Sequence, residues 1–463
     1  MIPFTLNDLA RITGGTLGGT TDGDLVIDGP VVTDSREAAP GSLYVARIGE
    51  HADGHDFVGA ARNRGAVASL VSKPVPDSPY LLVPDVQEAF AAIATAVIKG
   101  IDGLQVIGIT GSSGKTSTKD VMAAVLQEHG STVATIGSLN SEVGVPLTVC
   151  RALPQTQHLV LEMGARGVGH IQYLTDMTQP TIGVVLNVGS AHVGEFGGQE
   201  IIARAKAELV QALPADGLAV LNADDPLVAA MAGNTAAQVV LVGRGPQAQI
   251  RADDVQMTDA GTARFTLVTG TGRASVDLQV LGEHMVDNAL AVAAVALHLG
   301  MDIQAVARAL SAARLTSRWR LERHDRPDGV TVLNDAYNAN PDSLAAALHT
   351  LIAMGRGRRT WAVVGEMLEL GDDSRRAHYD CGALAASVGV DRVVAVGDGA
   401  RAVADGASTT SGTPRVDVVP DVTAAHQLLT AELAPGDIVL LKSSRDSGLR
   451  LLGDALVDGE APA

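Results

Sequence analysis

The hydrophobic and polar positions of this chain follow two patterns, short apolar runs and longer segments with helical spacing. The apolar runs in the middle of the chain are VIGIT at 106–110, HLVLEM at 158–163, IGVVLN at 182–187 and LAVLNAD at 218–224. Amphipathic segments such as KTSTKDVMAAVL, from Lys115, and IIARAKAELVQAL, from Ile201, lie between them. Apolar strands that alternate with helices are typical of a mostly parallel sheet covered on both faces. The pattern therefore predicts an α/β fold.

Changes in this pattern divide the chain. The first part carries short, glycine-rich segments and ends in the proline-spaced stretch KPVPDSPYLLVP at 73–84. Residues 249–282 change to period-2 runs that predict antiparallel hairpins, and Ala-rich helical segments follow at 285–299 and 302–312. A second strand–helix series begins near Arg318. We therefore predict a small N-terminal α/β domain, a central mostly parallel sheet domain and a C-terminal Rossmann-like domain, at 1–84, 85–314 and 315–463.

Length and charge narrow the possible functions. The 463 residues suit about three domains. The chain has 34 Lys and Arg against 52 Asp and Glu, a formal net charge of −18. Such an acidic balance argues against nucleic acid or an anionic membrane surface as the main partner. Aromatic residues make up only 3% of the chain, so the cores are expected to consist mainly of Ala, Val, Leu and Ile.

The cysteines and the first residues indicate the compartment. Cys150 and Cys381 are the two cysteines, too few for a disulfide framework or a four-cysteine zinc site. The beginning, MIPFTLNDLARITGG, lacks the features of a signal peptide. The longest apolar helical stretch, 289–297, is far shorter than the ~18 residues of a membrane span. We expect a cytoplasmic protein without integral membrane contact.

The segment VIGITGSSGKTSTKD indicates a phosphate-binding loop. Its glycines and GKT lie between an apolar strand and an amphipathic helix, where backbone N–H groups and the helix dipole favour phosphate. In such a loop Lys115 reaches the β- and γ-phosphates of a nucleotide, and the Thr116 hydroxyl reaches Mg²⁺. Position 109 is Ile where the standard spacing has Gly, and the alternative is an ordinary glycine-rich turn. The predicted loop residues are Gly111, Ser112, Ser113, Gly114, Lys115, Thr116 and Ser117.

A set of further motifs accompanies this loop in a fixed order. They are TDSR (33–36), GEHADGHDF (49–57), LNSEVGVPLT (139–148), LEMGA (161–165), NVGSAHVGEFGG (187–198), RAKAELV (204–210), GEHMVDNALA (282–291), SRWR (317–320), NDAYNANPDSL (334–344), GEMLELG (365–371) and KSSR (442–445). Together they cover nearly the whole chain, and the sequence resembles the Mur ligase family. The family's shortened loop accounts for the missing glycine.

The resemblance implies the reaction and its participants. Mur ligases phosphorylate a carboxylate with ATP, and an amine then attacks the acyl phosphate. The implied reaction adds D-Ala-D-Ala to UDP-MurNAc-tripeptide in peptidoglycan precursor synthesis. The implied cofactors are ATP, two Mg²⁺ ions and CO₂, the last as a carbamate on Lys206. We expect small-molecule partners, no nucleic acid and a monomer.

The resemblance also assigns metal and catalytic residues, each with a plainer alternative. Thr116, Glu162 and His192 are expected to bind Mg²⁺; Glu162 is otherwise a capping or paired glutamate, and His192 a polar loop residue. Lys206 has apolar neighbours at helical spacing, which predicts partial burial. Its implied role is a carbamate ligand for a second Mg²⁺, and its alternative is a surface lysine paired with Glu200 or Glu208.

Other residues are expected around the nucleotide. Asn288 is implied near the adenine, although it is also a plausible polar residue at a helix start. Arg318, a catalytic candidate, is implied at the phosphates, and Asp335 at the ribose. Asn338 and Asn340 belong to a turn before Pro341 that we expect to line the same cleft, with Pro341 beginning a helix.

The remaining candidates concern the substrates. Ser35 and Arg36 are expected to contact the UDP moiety, unless Asp34 and Arg36 simply pair on a turn. The supporting candidates are Thr33, His55 and Asn140. Lys442 and Arg445 follow the last apolar strand, where doubly wound sheets place their sites. They are expected to hold the dipeptide carboxylate, or else to form a structural loop.

Three alternative functions agree less well with these motifs. A sibling ligase that adds diaminopimelate carries DNPR in its third domain, and this motif does not occur here. Folylpolyglutamate synthase lacks the N-terminal UDP-binding segment. A noncatalytic P-loop switch protein does not need Glu162, His192 and Lys206 after successive central strands.

Overall fold

A computed structural model of the chain describes residues 1–20, 22–189, 198–409 and 414–459. Within these ranges the chain forms three domains in sequence, each with helices around its own main sheet. Most neighbouring strands within these sheets are parallel. The predicted three-domain α/β architecture is thus confirmed.

The N-terminal domain is the smallest. Its strands are β1 (Phe4–Thr5), β2 (Thr16–Gly18), β3 (Val26–Ile27), β4 (Val31–Val32), β5 (Ser42–Val45), β6 (Ala66–Val71) and β7 (Tyr80–Leu82), and its helices are α1 (Leu6–Thr13) and α2 (Val58–Asn63). In the described residues the main sheet has the order β2-β7-β6-β5-β4. Strands β4 to β7 are parallel, β2 is antiparallel to β7, and β1 pairs with β3 separately.

The central domain holds the largest sheet. Its strands are β8 (Gln105–Thr110), β9 (Thr132–Ala134), β10 (His158–Glu162), β11 (Ile182–Val185), β12 (Leu218–Asn222), β13 (Gln238–Gly243), β14 (Ile250–Met257), β15 (Thr262–Thr269) and β16 (Gly272–Leu281). Among the described residues their order is β16-β15-β14-β13-β12-β11-β8-β10-β9. Strand β15 is antiparallel to both β14 and β16, which confirms the hairpins predicted at 249–282.

Helices cover both faces of this sheet. They are α3 (Val86–Lys99), α4 (Lys115–Gln127), α5 (Gly144–Val149), α6 (His170–Thr178), α7 (Gln199–Gln211), α8 (Pro226–Ala229), α9 (Met285–His298) and α10 (Ile303–Ala312). Asp85 begins α3 because its carboxylate accepts hydrogen bonds from the Gln87 and Glu88 backbones at 2.7 and 3.1 Å. Small residues such as Ala289 and Ala293 are buried in α9. The core is therefore rich in alanine and aliphatic residues, as the low aromatic content predicts.

The C-terminal domain repeats the strand–helix alternation. Its strands are β17 (Glu322–Asp325), β18 (Thr331–Asn334), β19 (Thr360–Val364), β20 (Arg392–Val396), β21 (Arg415–Val419) and β22 (Ile438–Lys442), and its helices are α11 (Pro341–Met354), α12 (Ser374–Ser387), α13 (Arg401–Ala407), α14 (Val422–Glu432) and α15 (Leu449–Asp458). The order in the described part is β17-β18-β22-β19-β20-β21, parallel except for β17. Pro341 begins α11, as predicted.

Among the described residues, no helix is both long enough and apolar enough to cross a bilayer.

Candidate active site

The phosphate loop joins β8 to α4 at the carboxyl end of the central sheet. Gly114 has a φ of +79°, a left-handed conformation that suits glycine, and a Cβ there would lie 3.0 Å from Asn288 Oδ1. The backbone N–H groups of Ser112 and Ser113 donate to Asn187 Oδ1 at 3.0 and 2.9 Å. The loop is therefore fixed by an amide at the end of the neighbouring strand β11.

Lys115 points back along this loop. Its Nζ donates to the Gly111 carbonyl at 2.6 Å. Burial lowers the pKa of the Lys115 ammonium, while the charge of Glu162 acts in the opposite direction. A lysine held this way supplies positive charge beside any phosphate in the loop.

Thr116 is a buried residue in the first turn of α4, and it contacts the C-terminal domain. Its Oγ1 accepts a hydrogen bond from Arg320 Nη2 at 3.0 Å. Arg318, the predicted arginine, instead donates to Asp454 at 2.9 Å, has a side chain that is 57% exposed, and does not line the cavity described below. The structure thus places Arg320, and not Arg318, at the phosphate loop.

Glu162 ends β10 beside the loop and is 1% exposed. Its Oε1 accepts from Ser138 Oγ at 2.8 Å and from Asn140 Nδ2 at 2.6 Å. Its Oε2 is buried without a hydrogen-bond partner in the described part of the chain. A buried carboxylate oxygen without a donor is costly, and a hard cation such as Mg²⁺ satisfies it. The predicted metal role fits this donor, and Asn140 positions it.

Lys206 lies on α7 and is 5% exposed, which confirms the predicted burial. Glu208, one of the two partners considered for Lys206, accepts hydrogen bonds from the backbone N–H groups of Gly169 and Gln172 at 2.6 and 2.9 Å. Burial lowers the pKa of Lys206 well below its usual value, and the charge of Lys115 lowers it further. Both effects favour the neutral amine more than they would at an exposed lysine. His192 lies outside the described residues.

Asp335 and Lys442 form a pair at the base of the cleft. Lys442 Nζ lies 2.6 Å from Asp335 Oδ2 and donates to the Asn338 carbonyl at 3.1 Å. Asp335 Oδ1 accepts from the Leu321 backbone at 3.0 Å. The Lys442 side chain is only 2% exposed, so its ammonium mainly organises Asp335 and the turn.

Two further contacts connect the C-terminal domain with the site. Asn340 caps α11 through Ser343, with an O···N distance of 2.8 Å, and its Nδ2 donates to the Ser112 carbonyl at 3.5 Å. The guanidinium groups of Arg320 and Arg445 lie over the Tyr337 ring, at 4.3 and 5.8 Å from its centre. Arg445 is thereby held over the cleft.

A cavity of about 1090 Å³ lies between the central and C-terminal domains, and it brings most of the predicted residues together. The predicted residues in its wall are Gly111, Ser112, Ser113, Gly114, Lys115, Thr116, Ser117, Asn140, Glu162, Lys206, Asn288, Asp335, Asn338, Asn340, Lys442 and Arg445. Phosphate-binding, carboxylate and cationic groups thus line one cavity.

A second cavity, of about 530 Å³, lies in the N-terminal domain and is lined by Thr33, Ser35 and Arg36 among others. Arg36 and Asp34 form an ion pair with a closest N···O distance of 2.6 Å, the pairing that was considered as the alternative to a UDP contact. His55 does not line this cavity. Its Nδ1 lies 2.6 Å from Asp53 and its Nε2 accepts from the Ser72 backbone at 3.0 Å, so the ring organises the loop.

Sequence reasoning missed two residues of the site. Asn187 is the last residue of the run IGVVLN, so the rule that parallel sheets place sites at strand ends applies to it as it does to Glu162. Arg320 belongs to the motif SRWR, but the sequence gives no signal to choose between its two arginines.

Comparison with known proteins identifies the family. The Mur ligase family catalytic domain matches residues 30–99, the Mur ligase middle domain 109–296, and the Mur ligase glutamate ligase domain 319–445.

Similar proteins and solved structures agree with this family assignment. A UDP-N-acetylmuramoyl-tripeptide–D-alanyl-D-alanine ligase from Mycobacterium tuberculosis is 46% identical, covering 99% of this chain and 98% of its own. The Escherichia coli ligase of the same name is 36% identical, over 98% and 99%. MurF from Acinetobacter baumannii superimposes with a TM-score of 0.89 at 30% identity, over 98% and 99%. MurF from Thermotoga maritima in complex with ADP superimposes with a TM-score of 0.80 at 26% identity, and the match covers 94% of this chain and 99% of that structure. The chain therefore belongs to the Mur ligase family.

Proposed function

We propose that this Mur ligase joins D-alanyl-D-alanine to UDP-N-acetylmuramoyl-tripeptide in the large cavity. The chain is an ATP-dependent ligase of peptidoglycan synthesis. The observation that carries the proposed location is the hydrogen bond from Arg320 to Thr116, 3.0 Å long. It brings a cation of the C-terminal domain onto the phosphate loop of the central domain, where a phosphoryl group is transferred.

The first step activates the tripeptide. A carboxylate oxygen attacks the γ-phosphorus of ATP, the bond to the β-phosphate oxygen breaks, and ADP leaves with its electron pair. Lys115 and Arg320 offset the charge on the transferring group, and the loop N–H groups align it. Asn288 and Asp335 are assigned to the adenosine part, because they line the same cavity as the loop.

Mg²⁺ fits the acidic side of this cavity. Glu162 offers the buried Oε2 that lacks a donor among the described residues, and Thr116 offers its hydroxyl. When bound there, Mg²⁺ neutralises phosphate charge and polarises the phosphoryl oxygens. We propose that the site binds two Mg²⁺ ions and that His192 is a further ligand.

We assign a carbamate to Lys206. The neutral amine attacks CO₂, a C–N bond forms as one C=O π bond opens onto oxygen, and one proton leaves the nitrogen, so a neutral side chain becomes an anionic oxygen donor. The burial of Lys206 and its depressed pKa support this assignment, since both favour the neutral amine. Arginine cannot undergo this reaction, because its guanidinium stays protonated.

The second step forms the amide. The dipeptide amine attacks the acyl carbon, phosphate leaves from the tetrahedral intermediate, and the amine loses a proton. We assign Arg445 to the dipeptide carboxylate, because Lys442 is already paired with Asp335. The N-terminal cavity with Thr33, Ser35 and Arg36 is assigned to the UDP moiety.

Each domain is assigned one substrate. We propose that residues 1–84 bind the UDP-sugar-peptide, that residues 85–314 bind ATP and that residues 315–463 bind the dipeptide. We also propose that the enzyme works as a cytoplasmic monomer. Both cysteines are buried free thiols, which suits a reducing compartment.

A substrate-withdrawal assay tests the function. With ATP and Mg²⁺ present, we expect phosphate release only when both UDP-MurNAc-tripeptide and D-Ala-D-Ala are supplied. Diaminopimelate or single D-Ala in place of the dipeptide is the matched control, and we expect background release with either. Equal release without D-Ala-D-Ala would refute the assignment.

A further inference from the structure

Lys119 and Asp120 form a buried ion pair on α4 that the proposed chemistry does not use. The two side chains are 2% and 1% exposed, and Lys119 Nζ contacts Asp120 Oδ1. Lys119 Nζ also lies 3.3 Å from Ser317 Oγ. Buried charges cost free energy unless they are paired and hydrogen-bonded, so a pair at this depth calls for an explanation.

Asp120 holds the linker that enters the C-terminal domain, residues 313–321. Its Oδ2 accepts from the backbone N–H groups of Thr316 at 3.1 Å and Ser317 at 2.8 Å. Its Oδ1 accepts from Thr316 Oγ1 at 3.0 Å. One carboxylate thus satisfies two consecutive backbone donors nearly 200 residues away in the chain.

The same linker carries Arg320 to the phosphate loop. Trp319 and Leu321 flank it with φ values of +58° and +54°, which are unfavourable for residues with side chains and persist only where surroundings fix them. The far end of the linker is fixed by Asp335, which accepts from the Leu321 backbone at 3.0 Å. Asp120 fixes the near end.

The contacts of Thr116 and Asp120 with the linker come from the same face of α4. Thr116 and Asp120 are four residues apart on α4, so they lie on one face of the helix. Thr116 contacts the Arg320 side chain, and Asp120 contacts the backbone three and four residues earlier. One helix face therefore sets both the start of the linker and the position of its arginine.

We infer that Asp120 is a positioning residue for Arg320: it anchors the linker so that the guanidinium reaches the phosphate loop. This inference rests on the proposed role of Arg320 in phosphoryl transfer. Lys119 balances the charge of the anchor and holds it in place. The effect is expected in kcat, because the phosphate loop itself keeps its ATP contacts.

A double-mutant cycle on kcat tests the inference. The variants are Asp120→Asn, Arg320→Ala and their combination, with kcat and the KM for ATP measured for each. Because Asp120→Asn leaves Lys119 buried without its partner, the pair Lys119→Met/Asp120→Asn is tested in the same cycle and keeps the site neutral. Asp437→Asn is the control, since Asp437 is a buried ion-pair carboxylate that accepts from the Ala434 backbone at 2.9 Å and precedes β22, at the opposite end of that strand from Lys442.

We expect Asp120→Asn and the neutral pair to lower kcat about 10²-fold with little change in KM, since misplacing a catalytic group by about 1 Å has such an effect. In the Arg320→Ala background the further loss is expected to be below about threefold, because residues that act through one another are not additive. Asp437→Asn is expected to leave kcat unchanged in both backgrounds.

Equal losses in both backgrounds, an effect on KM alone, or an unchanged kcat in the neutral pair would overturn the inference. A normal kcat for Arg320→Ala alone would instead refute the proposed role of Arg320. The two failures are therefore distinguishable within one experiment.

Discussion

Replacing Lys206 with alanine is expected to lower kcat at least about 10³-fold, because the proposed anionic metal ligand is lost and such metal contacts contribute several kcal/mol to the transition state. Added formate or acetate is expected to restore part of the activity. A small carboxylate fills the space left by the truncated side chain and supplies the missing oxygens. Steady-state phosphate release with and without the carboxylate measures both effects.

Lys99→Ala is the matched control, since Lys99 is an exposed lysine at the end of α3. It is expected to retain wild-type activity and to show no response to formate. If Lys206→Ala is as active as the wild type, or is inactive at every carboxylate concentration, the carbamate assignment is rejected.

Arg320→Ala is expected to lower kcat about 10³-fold, the lower end of the range for arginines that stabilise phosphoryl transfer. The guanidinium that donates to Thr116 Oγ1 at 3.0 Å is removed, while the loop and Lys115 remain. The KM for ATP is expected to change little. Steady-state kinetics with saturating tripeptide and dipeptide separates the two parameters.

The neighbouring Arg318→Ala supplies the comparison. Arg318 is more than half exposed and pairs with Asp454, and such ion pairs contribute little. We expect its kcat within about twofold of the wild type, consistent with the small median energy of exposed pairs. The opposite ranking, with Arg318→Ala the more damaged, would restore the sequence-based prediction for Arg318.

Much of the fold is predictable from the sequence because the apolar runs are long and regular. Strand β8 and the loop after it follow from VIGITGSSGKT, where an apolar run, glycines and a helix pattern all agree. Glu162 is predictable for the same reason, as a charged residue at the end of a buried strand. Here local pattern and global fold point to one answer.

The details that escaped prediction depend on partners distant in sequence. Lys442 is the last residue of β22, one position before the predicted place after the strand, but its pairing with Asp335, 107 residues earlier, is not encoded in any local pattern. The orientation of Arg320 depends on left-handed backbone at Trp319 and Leu321, which neither residue type signals. Local patterns thus place residues at an edge of the sheet, and tertiary contacts decide which of them face the cavity.

An isotope-transfer experiment tests the central chemistry most directly. UDP-MurNAc-tripeptide labelled with ¹⁸O in its terminal carboxylate is incubated with the enzyme, ATP, Mg²⁺ and D-Ala-D-Ala, and the released phosphate is analysed by mass spectrometry. An acyl phosphate places one carboxylate oxygen between carbon and phosphorus, and that oxygen leaves with the phosphate. We expect one ¹⁸O atom per phosphate and one retained in the new amide. Unlabelled phosphate, formed at the same rate as the amide product, would contradict this chemistry.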